Sequence, residues 1–193
     1  MTVLIVSGTA LLLTVFTGRV ARIGLLAIQY AAVSWLTGLS LPLQVAAVKL
    51  VAGMIACAIL AVSESKQQQA PAQPAGREFG TTFRLFASGL GLVAAFGLGQ
   101  RNWFEVPDLR QEAILGSTVL LTMGLLQLGL SGSAFRVCLG LMTLLSGFEI
   151  VYGLIEPSLA VLALIASIHI GLALVASYLG LISGTPEEMQ GAP

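Results

Sequence analysis

Three ionisable side chains stand inside long apolar stretches of this chain: Lys49, Glu149 and His169. An ionisable group is costly to place in hydrocarbon, so such residues usually face protein and mark ion pathways or proton relays. A lysine can pair with a carboxylate, and an imidazole can accept a proton at one ring nitrogen and release it from the other. These residue types suggest the movement of protons or cations across a membrane.

We expect Lys49 and Glu149 to lie at the same depth. Lys49 follows Pro42 by about seven residues and Glu149 precedes the predicted Glu156-Pro157 turn by about seven, which is roughly 10 Å for each along a helix. Small residues surround the lysine at helical spacing and favour a face turned towards protein: Ala46, Ala52, Gly53 and Ala56. Two alternatives stay open, since the lysine can snorkel to the outer headgroups and the pair can be a static one that fixes helix packing.

His169 lies near the middle of the last apolar stretch, where a lone histidine more often makes a hydrogen bond between helices than relays protons. Four residues share the helix face of Glu149 by the three- and four-residue spacing: Ser146, Tyr152, Gly153 and Glu156. Gln29 and Gln127 are weaker polar candidates, and we expect them to hold helices together.

The elements that position these residues follow from composition. Hydrophobic residues make up 56% of the 193 residues and charged residues 9%, with a mean hydropathy of +0.95, whereas soluble domains carry roughly 25% charged residues. These values predict an all-α, polytopic transmembrane helix bundle of about seven helices and exclude a soluble enzyme. The apolar stretches place the helices at about 2–17, 20–38, 42–62, 80–99, 112–130, 135–155 and 158–183.

One polar stretch divides the chain. We expect a three-helix part at 1–63, a flexible cytoplasmic loop at 64–79, a four-helix part at 80–184 and a short tail at 185–193. The loop is rich in Gln, Pro, Ala and Gly, which bury too little apolar surface to offset chain entropy.

The distribution of Lys and Arg predicts the orientation, because cytoplasmic loops carry an excess of both. One side of the predicted bundle collects Arg19, Arg22, Lys66, Arg77 and Arg136. The opposite side holds Arg101 and Arg110, diluted by acidic residues. We therefore expect the N-terminus outside, the C-terminus in the cytoplasm, and a multi-pass position in the inner (cytoplasmic) membrane.

Charge balance and cysteine usage exclude several classes of site. Nine Lys and Arg offset nine Asp and Glu, so we expect no basic surface for nucleic acid. Cys57 and Cys138 stand apart in apolar stretches, and a single histidine argues against a metal or haem site. We expect no catalytic residue, metal or cofactor, and the partners we expect are the lipid bilayer and other integral membrane subunits.

Three segments carry a resemblance to a known family: AVKLVAGMIACAIL around Lys49, RVCLGLMTLLSGFEIVYGLIEP around Glu149, and EPSLAVLALIASIHIGLALVAS around His169. Together they resemble the membrane component E of hydrogenase-4 and formate-hydrogenlyase complexes, and the C-terminal part is similar to the K subunit (chain 4L) of respiratory complex I. The resemblance implies antiporter-like or hydrogenase-like partner subunits and an intramembrane role for Lys49.

The chain departs from that family at its intramembrane glutamate. The family places this residue just after Leu-Met, where the present chain has Leu141-Met142-Thr143. The family's acidic residue in the last helix is replaced near Ser167, two positions before His169. A proton-conducting role is therefore altered, moved to Glu149 and His169, or lost.

Two function classes follow from these features. The first is a non-catalytic integral subunit of a multi-subunit energy-converting complex, of the hydrogenase, complex I or antiporter kind, in which the three residues form a proton path or a coupling contact. The second is a stand-alone, homo-oligomeric transporter or channel, which the lack of visible internal repeats disfavours. An intramembrane enzyme needs paired acids or a nucleophile with a base, and Lys49 with Glu149 fits an ion pair better.

Overall fold

In the computed structural model, the described residues are 2–16, 18–39, 42–67, 80–100, 111–155 and 158–183. They form seven α-helices and contain no strand, which confirms the predicted all-α class and helix number. The helices are α1 (Thr2–Val15), α2 (Arg19–Gly38), α3 (Leu43–Gln67), α4 (Thr81–Gly99), α5 (Gln111–Gly129), α6 (Ala134–Ile155) and α7 (Leu159–Ser183).

The helix bounds agree with the predicted ones to within about two residues, except at the end of α3. That helix continues to Gln67, so the predicted flexible loop does not begin at residue 64. Glu, Lys and Gln are good helix formers, and they extend the helix beyond its apolar part. The rest of the predicted loop (68–79), the segment 101–110, the predicted Glu156-Pro157 turn and the predicted tail at 185–193 lie outside the described residues.

Six of the described helices, α2 to α7, are long and apolar enough to cross a membrane. The chain is therefore a multi-pass membrane protein. Helix α1 has 14 residues, which is about 21 Å at 1.5 Å per residue and less than the roughly 30 Å hydrocarbon core of a bilayer. The seven described helices of the predicted transmembrane bundle thus include six of spanning length and one, α1, that is shorter.

Consecutive helices run in opposite directions. The ends of α1 and α5 lie beside the starts of α2, α4 and α6, around a common cavity. We call this side of the bundle the arginine end, because Arg22, Arg84 and Arg136 lie there in the first turns of α2, α4 and α6.

Glycines allow the closest helix contact, between α5 and α6. A Cβ added at Gly124 would lie 2.6 Å from the backbone nitrogen of Leu144, and one at Gly147 would lie 2.9 Å from that of Leu121. Both separations are shorter than a carbon atom tolerates, so backbone meets backbone here, as is common where small residues line membrane helices. This contact fixes the position of α6, which carries Glu149.

Helix α3 packs along α2 and α7, and hydroxyl groups connect these three helices. The Ser34 hydroxyl on α2 donates to the Ala46 carbonyl at 2.5 Å, the Ser63 hydroxyl donates to Ser177 at 3.3 Å, and the Ser177 hydroxyl donates to Ile59 at 3.4 Å. Hydrogen bonds of this kind stabilise helix contacts where no water competes. They set α3, with Lys49, between α2 and α7.

Candidate functional site

A buried ion pair joins α3 to α6. The Lys49 Nζ donates to the Glu149 Oε2 at 2.5 Å, and the two side chains are 2% and 7% exposed. Lys49 is six residues from the start of α3 and Glu149 six from the end of α6, so both are about 9 Å in from the end opposite the arginine end. The lysine thus bonds to a carboxylate at its own depth, which is not the snorkelling conformation.

The position of Lys49 follows from the small residues around it on α3. Ala46, Ala52, Gly53 and Ala56 are all buried. Small side chains let neighbouring helices approach and keep lipid away from this face. A long side chain that leaves such a face must end among protein atoms, and here it ends at the carboxylate of α6.

Tyr30 of α2 lies beside the ion pair, and the sequence analysis missed it. Its ring packs on the backbone of α3 at Gly53, where an added Cβ would lie 2.5 Å from the ring. Ser146 and Glu149 of α6 are among its polar neighbours. The Tyr30 hydroxyl is fully buried. The sequence does contain a signal that could have identified Tyr30: it stands next to Gln29 in the middle of an apolar stretch.

His169 of α7 completes the group. Its ring meets that of Tyr30 edge to face, with centroids 5.6 Å apart. Its Nδ1 lies 3.0 Å from the Ile165 carbonyl, and its Nε2 is buried. The charges of Lys49 and Glu149 both act on the imidazole. His169 is thus near the pair without a direct hydrogen bond to either member.

These side chains form a polar layer across four helices, which we define as Tyr30, Lys49, Ser146, Glu149 and His169. All five are buried, with exposed fractions between 1% and 6%. The layer holds one cation, one carboxylate, two hydroxyl groups and one imidazole. Each of these groups can take up or release a proton in some protonation state.

A line of polar side chains continues from the layer along α6. Glu149, Ser146 and Thr143 follow each other at three-residue intervals, a rise of about 4.5 Å per step, and all are buried. The Thr143 hydroxyl donates to its own helix at Leu139 and lies 3.4 Å from the Gln127 Oε1 of α5. Gln127 in turn lines the cavity at the arginine end. Polar groups therefore extend from the ion pair to that cavity.

Other candidates lie elsewhere. Tyr152 turns away from the layer and stacks on the exposed Phe148, with ring centroids 5.7 Å apart. Glu156 lies outside the described residues. Gln127 bonds to α1 through its amide nitrogen, 3.4 Å from the Ala10 carbonyl, in keeping with its predicted packing role. Cys57 and Cys138 are both reduced and buried.

Comparison with protein-family models, with curated proteins and with solved structures finds no match.

Proposed function

We propose that this protein is a non-catalytic integral membrane subunit that moves protons or cations, or couples their movement, within a multi-subunit energy-converting complex. The observation that carries the proposal is the buried contact between Lys49 and Glu149 inside two membrane-spanning helices. A pair that served only to hold helices together needs no further polar groups around it. Here it adjoins Tyr30, Ser146 and His169.

The chemistry of the pair suits an exchangeable proton. When Glu149 is ionised, the pair is satisfied, and when a proton neutralises the carboxylate, the ammonium loses its partner and must shift or release a proton itself. The Tyr30 hydroxyl and the His169 imidazole lie close by and are buried. Both are groups that can exchange a proton with a neighbour.

The polar residues of α6 extend the proposed proton path from the ion pair towards the arginine end. Ser146, Thr143 and Gln127 connect the pair with the cavity at the arginine end through hydroxyl and amide groups. The Lys49 side of the layer is about 9 Å from the opposite end. A proton entering from either end therefore meets a polar group within a few helical turns.

The assignment to a larger complex rests on the resemblance of the segments around Lys49, Glu149 and His169 to membrane subunits of hydrogenase and complex I. In such an assembly the redox chemistry belongs to other chains, and this chain contributes polar residues within the membrane. The orientation with an outside N-terminus and the placement in the cytoplasmic membrane belong to the same proposal.

Proton movement is tested with the purified chain in liposomes that carry a pH-sensitive dye and an imposed potential. We expect Glu149→Gln and Lys49→Met to reduce the proton flux at least tenfold, because each removes one half of the exchanging pair. Glu112→Gln is the matched control, since Glu112 is exposed in the first turn of α5. Equal fluxes in wild type, Glu149→Gln and Lys49→Met would refute the proton path.

Assembly is tested by a mild-detergent pull-down of the tagged protein from its native membrane, followed by mass spectrometry. Stoichiometric antiporter-like or hydrogenase-like subunits would support the complex. A homo-oligomer alone that still conducts protons would support the stand-alone transporter or channel instead, and the proton path would stand while the complex would not.

A further inference from the structure

We propose that Gln29 of α2 positions a buried water molecule that connects Ser146 with Thr143 on α6 and is part of the proton path. The Gln29 side chain is 1% exposed, and its Oε1 has no hydrogen-bond partner among the described residues. Buried polar atoms nearly always have a partner, which is in many cases an ordered water. The inference rests on the proposed proton path and adds a positioning residue to it.

Gln29 differs in this respect from Gln127. The Gln127 amide nitrogen lies 3.4 Å from the Ala10 carbonyl, and its Oε1 lies 3.4 Å from the Thr143 hydroxyl. Both ends of that amide are thus satisfied at contacts between helices, as expected of a residue that holds helices together. The Gln29 oxygen needs a partner of another kind.

The face of α2 that carries Gln29 is turned towards α6. Gln29 lies between Leu26 and Val33, at the three- and four-residue spacings that place all three on one face. Leu26 is in one buried cluster with Met142 of α6, and Val33 is in another with Ile150 of α6. Helices α2 and α6 both start at the arginine end, so they run in the same direction. Gln29 is therefore level with the stretch of α6 between Met142 and Ile150.

That stretch of α6 carries Thr143 and Ser146, both buried, and the step between them is longer than one hydrogen bond. Residues three apart on a helix have Cβ atoms about 5–6 Å apart, whereas a hydrogen bond between hydroxyl groups joins oxygens about 2.7–2.8 Å apart. The Thr143 hydroxyl donates to the Leu139 carbonyl at 3.0 Å, on the side away from Ser146. A molecule placed beside the two hydroxyl groups is needed to complete the polar line.

Water suits this place because it both donates and accepts hydrogen bonds. A buried water typically makes about three hydrogen bonds to buried polar groups. The Gln29 Oε1 can accept one of them, and the hydroxyl oxygens of Ser146 and Thr143 have lone pairs for others. A water held in this way can take up a proton on one side and release one on the other, while the amide fixes its position.

Proton flux through the full chain in liposomes tests the role of Gln29. We expect Gln29→Leu to lower the flux about tenfold, because the water loses the acceptor that holds it. Gln44→Leu is the matched control, since Gln44 is exposed in the first turn of α3. A Gln29→Leu variant with a higher unfolding midpoint and an unchanged flux would overturn the inference, because it would show an amide that is buried without any partner.

Hydration is measured directly by X-ray radiolysis of the detergent-purified full chain, in which hydroxyl radicals formed from bound water label adjacent side chains. Mass spectrometry should find labels on Leu26 and Val33, although these are 1% and 0% exposed, and should find fewer in Gln29→Leu but not in Gln44→Leu. A wild-type chain without labels there would overturn the inference, even if Gln29→Leu does not fold.

The variants of the ion pair separate this inference from the proton path itself. A flux that falls in Glu149→Gln and Lys49→Met but not in Gln29→Leu would overturn the role of Gln29 and leave the path in place. A flux that is equal in the wild type and all three variants would refute the path and the inference together.

Discussion

The polar layer and the arginine cavity both hold buried charges, but they balance those charges differently. In the layer, the ammonium of Lys49 meets the carboxylate of Glu149 at 2.5 Å, one charge of each sign from two helices. At the cavity, three guanidinium groups come together, and the described lining residues include no carboxylate. The layer therefore pairs its charges with each other, whereas the three arginines of the cavity have their further interactions elsewhere within the chain.

This difference predicts that the two regions respond differently to substitution. A buried pair of opposite charges loses its balance when one member is removed or neutralised. The following four predictions test whether the two regions are distinct, from the largest expected effect to the smallest.

Breaking the ion pair on one side should have the largest effect on stability. We expect Lys49→Met or Glu149→Leu alone to lower the free energy of unfolding by about 3–5 kcal/mol, because the remaining charge stays buried without its partner. The double variant Lys49→Met/Glu149→Leu should recover most of this loss, since well-packed apolar residues replace buried pairs at little cost. Denaturant titration in detergent measures the free energy of unfolding of all four proteins in this double-mutant cycle: the wild type, the two single variants and the double variant. Additive losses in the double variant would mean that the two groups do not interact.

A methyl group at Gly53 should disturb the layer without touching its charges. Gly53→Ala places a Cβ 2.5 Å from the Tyr30 ring, and crowding of this kind costs about 1–3 kcal/mol. Gly89→Ala is the matched control, since a Cβ there meets nothing within 4 Å and alanine favours helix by up to about 1 kcal/mol. Thermal unfolding of both variants gives the comparison. Equal midpoints for Gly53→Ala and Gly89→Ala would show that Tyr30 is not held against α3.

The sequence predicted the helices well and the layer in part, for identifiable reasons. Helix bounds follow from long apolar stretches and their polar ends, and depth follows from residue counts, so Lys49 and Glu149 could be placed at one level. Sequence does not specify which helices are neighbours or how each is rotated. Tyr30 was therefore missed, because its role depends on α2 lying against α3 at Gly53.

The arginine cavity was missed for the same reason. Arg22 and Arg136 were counted as loop charges that set orientation, and nothing in their spacing shows that α2, α4 and α6 begin around one space. Small residues at four-residue spacing on α4, namely Ala87, Gly91, Ala95 and Gly99, do predict a packed face. Ala95 and Gly99 are buried, and Ala87 and Gly91 are half-buried. This pattern concerns helix packing only. It does not reveal that Arg84, at the start of that helix, is buried as well.

The smallest effect concerns Gln127, which lies between the two regions. It lines the cavity, and its Oε1 is 3.4 Å from the Thr143 hydroxyl of the polar line on α6. Hydrogen bonds between membrane helices average about 0.6 kcal/mol, so Thr143→Val should lower stability by about that amount. Gln127→Leu should cost about twice as much, because it also removes the hydrogen bond to the Ala10 carbonyl. The double variant should lose less than the sum, because both changes remove the same bond.

The same variants test whether that bond also carries protons. If the polar line is a path, Thr143→Val slows the proton flux in liposomes, because it removes one hydroxyl group from that line. Thr118→Val is the matched control, since the Thr118 hydroxyl donates to the Ile114 carbonyl of its own helix at 2.8 Å. A flux that falls equally in Thr143→Val and Thr118→Val would assign the loss to helix packing. A flux that falls only in Thr143→Val would connect the ion pair to the arginine end through α6.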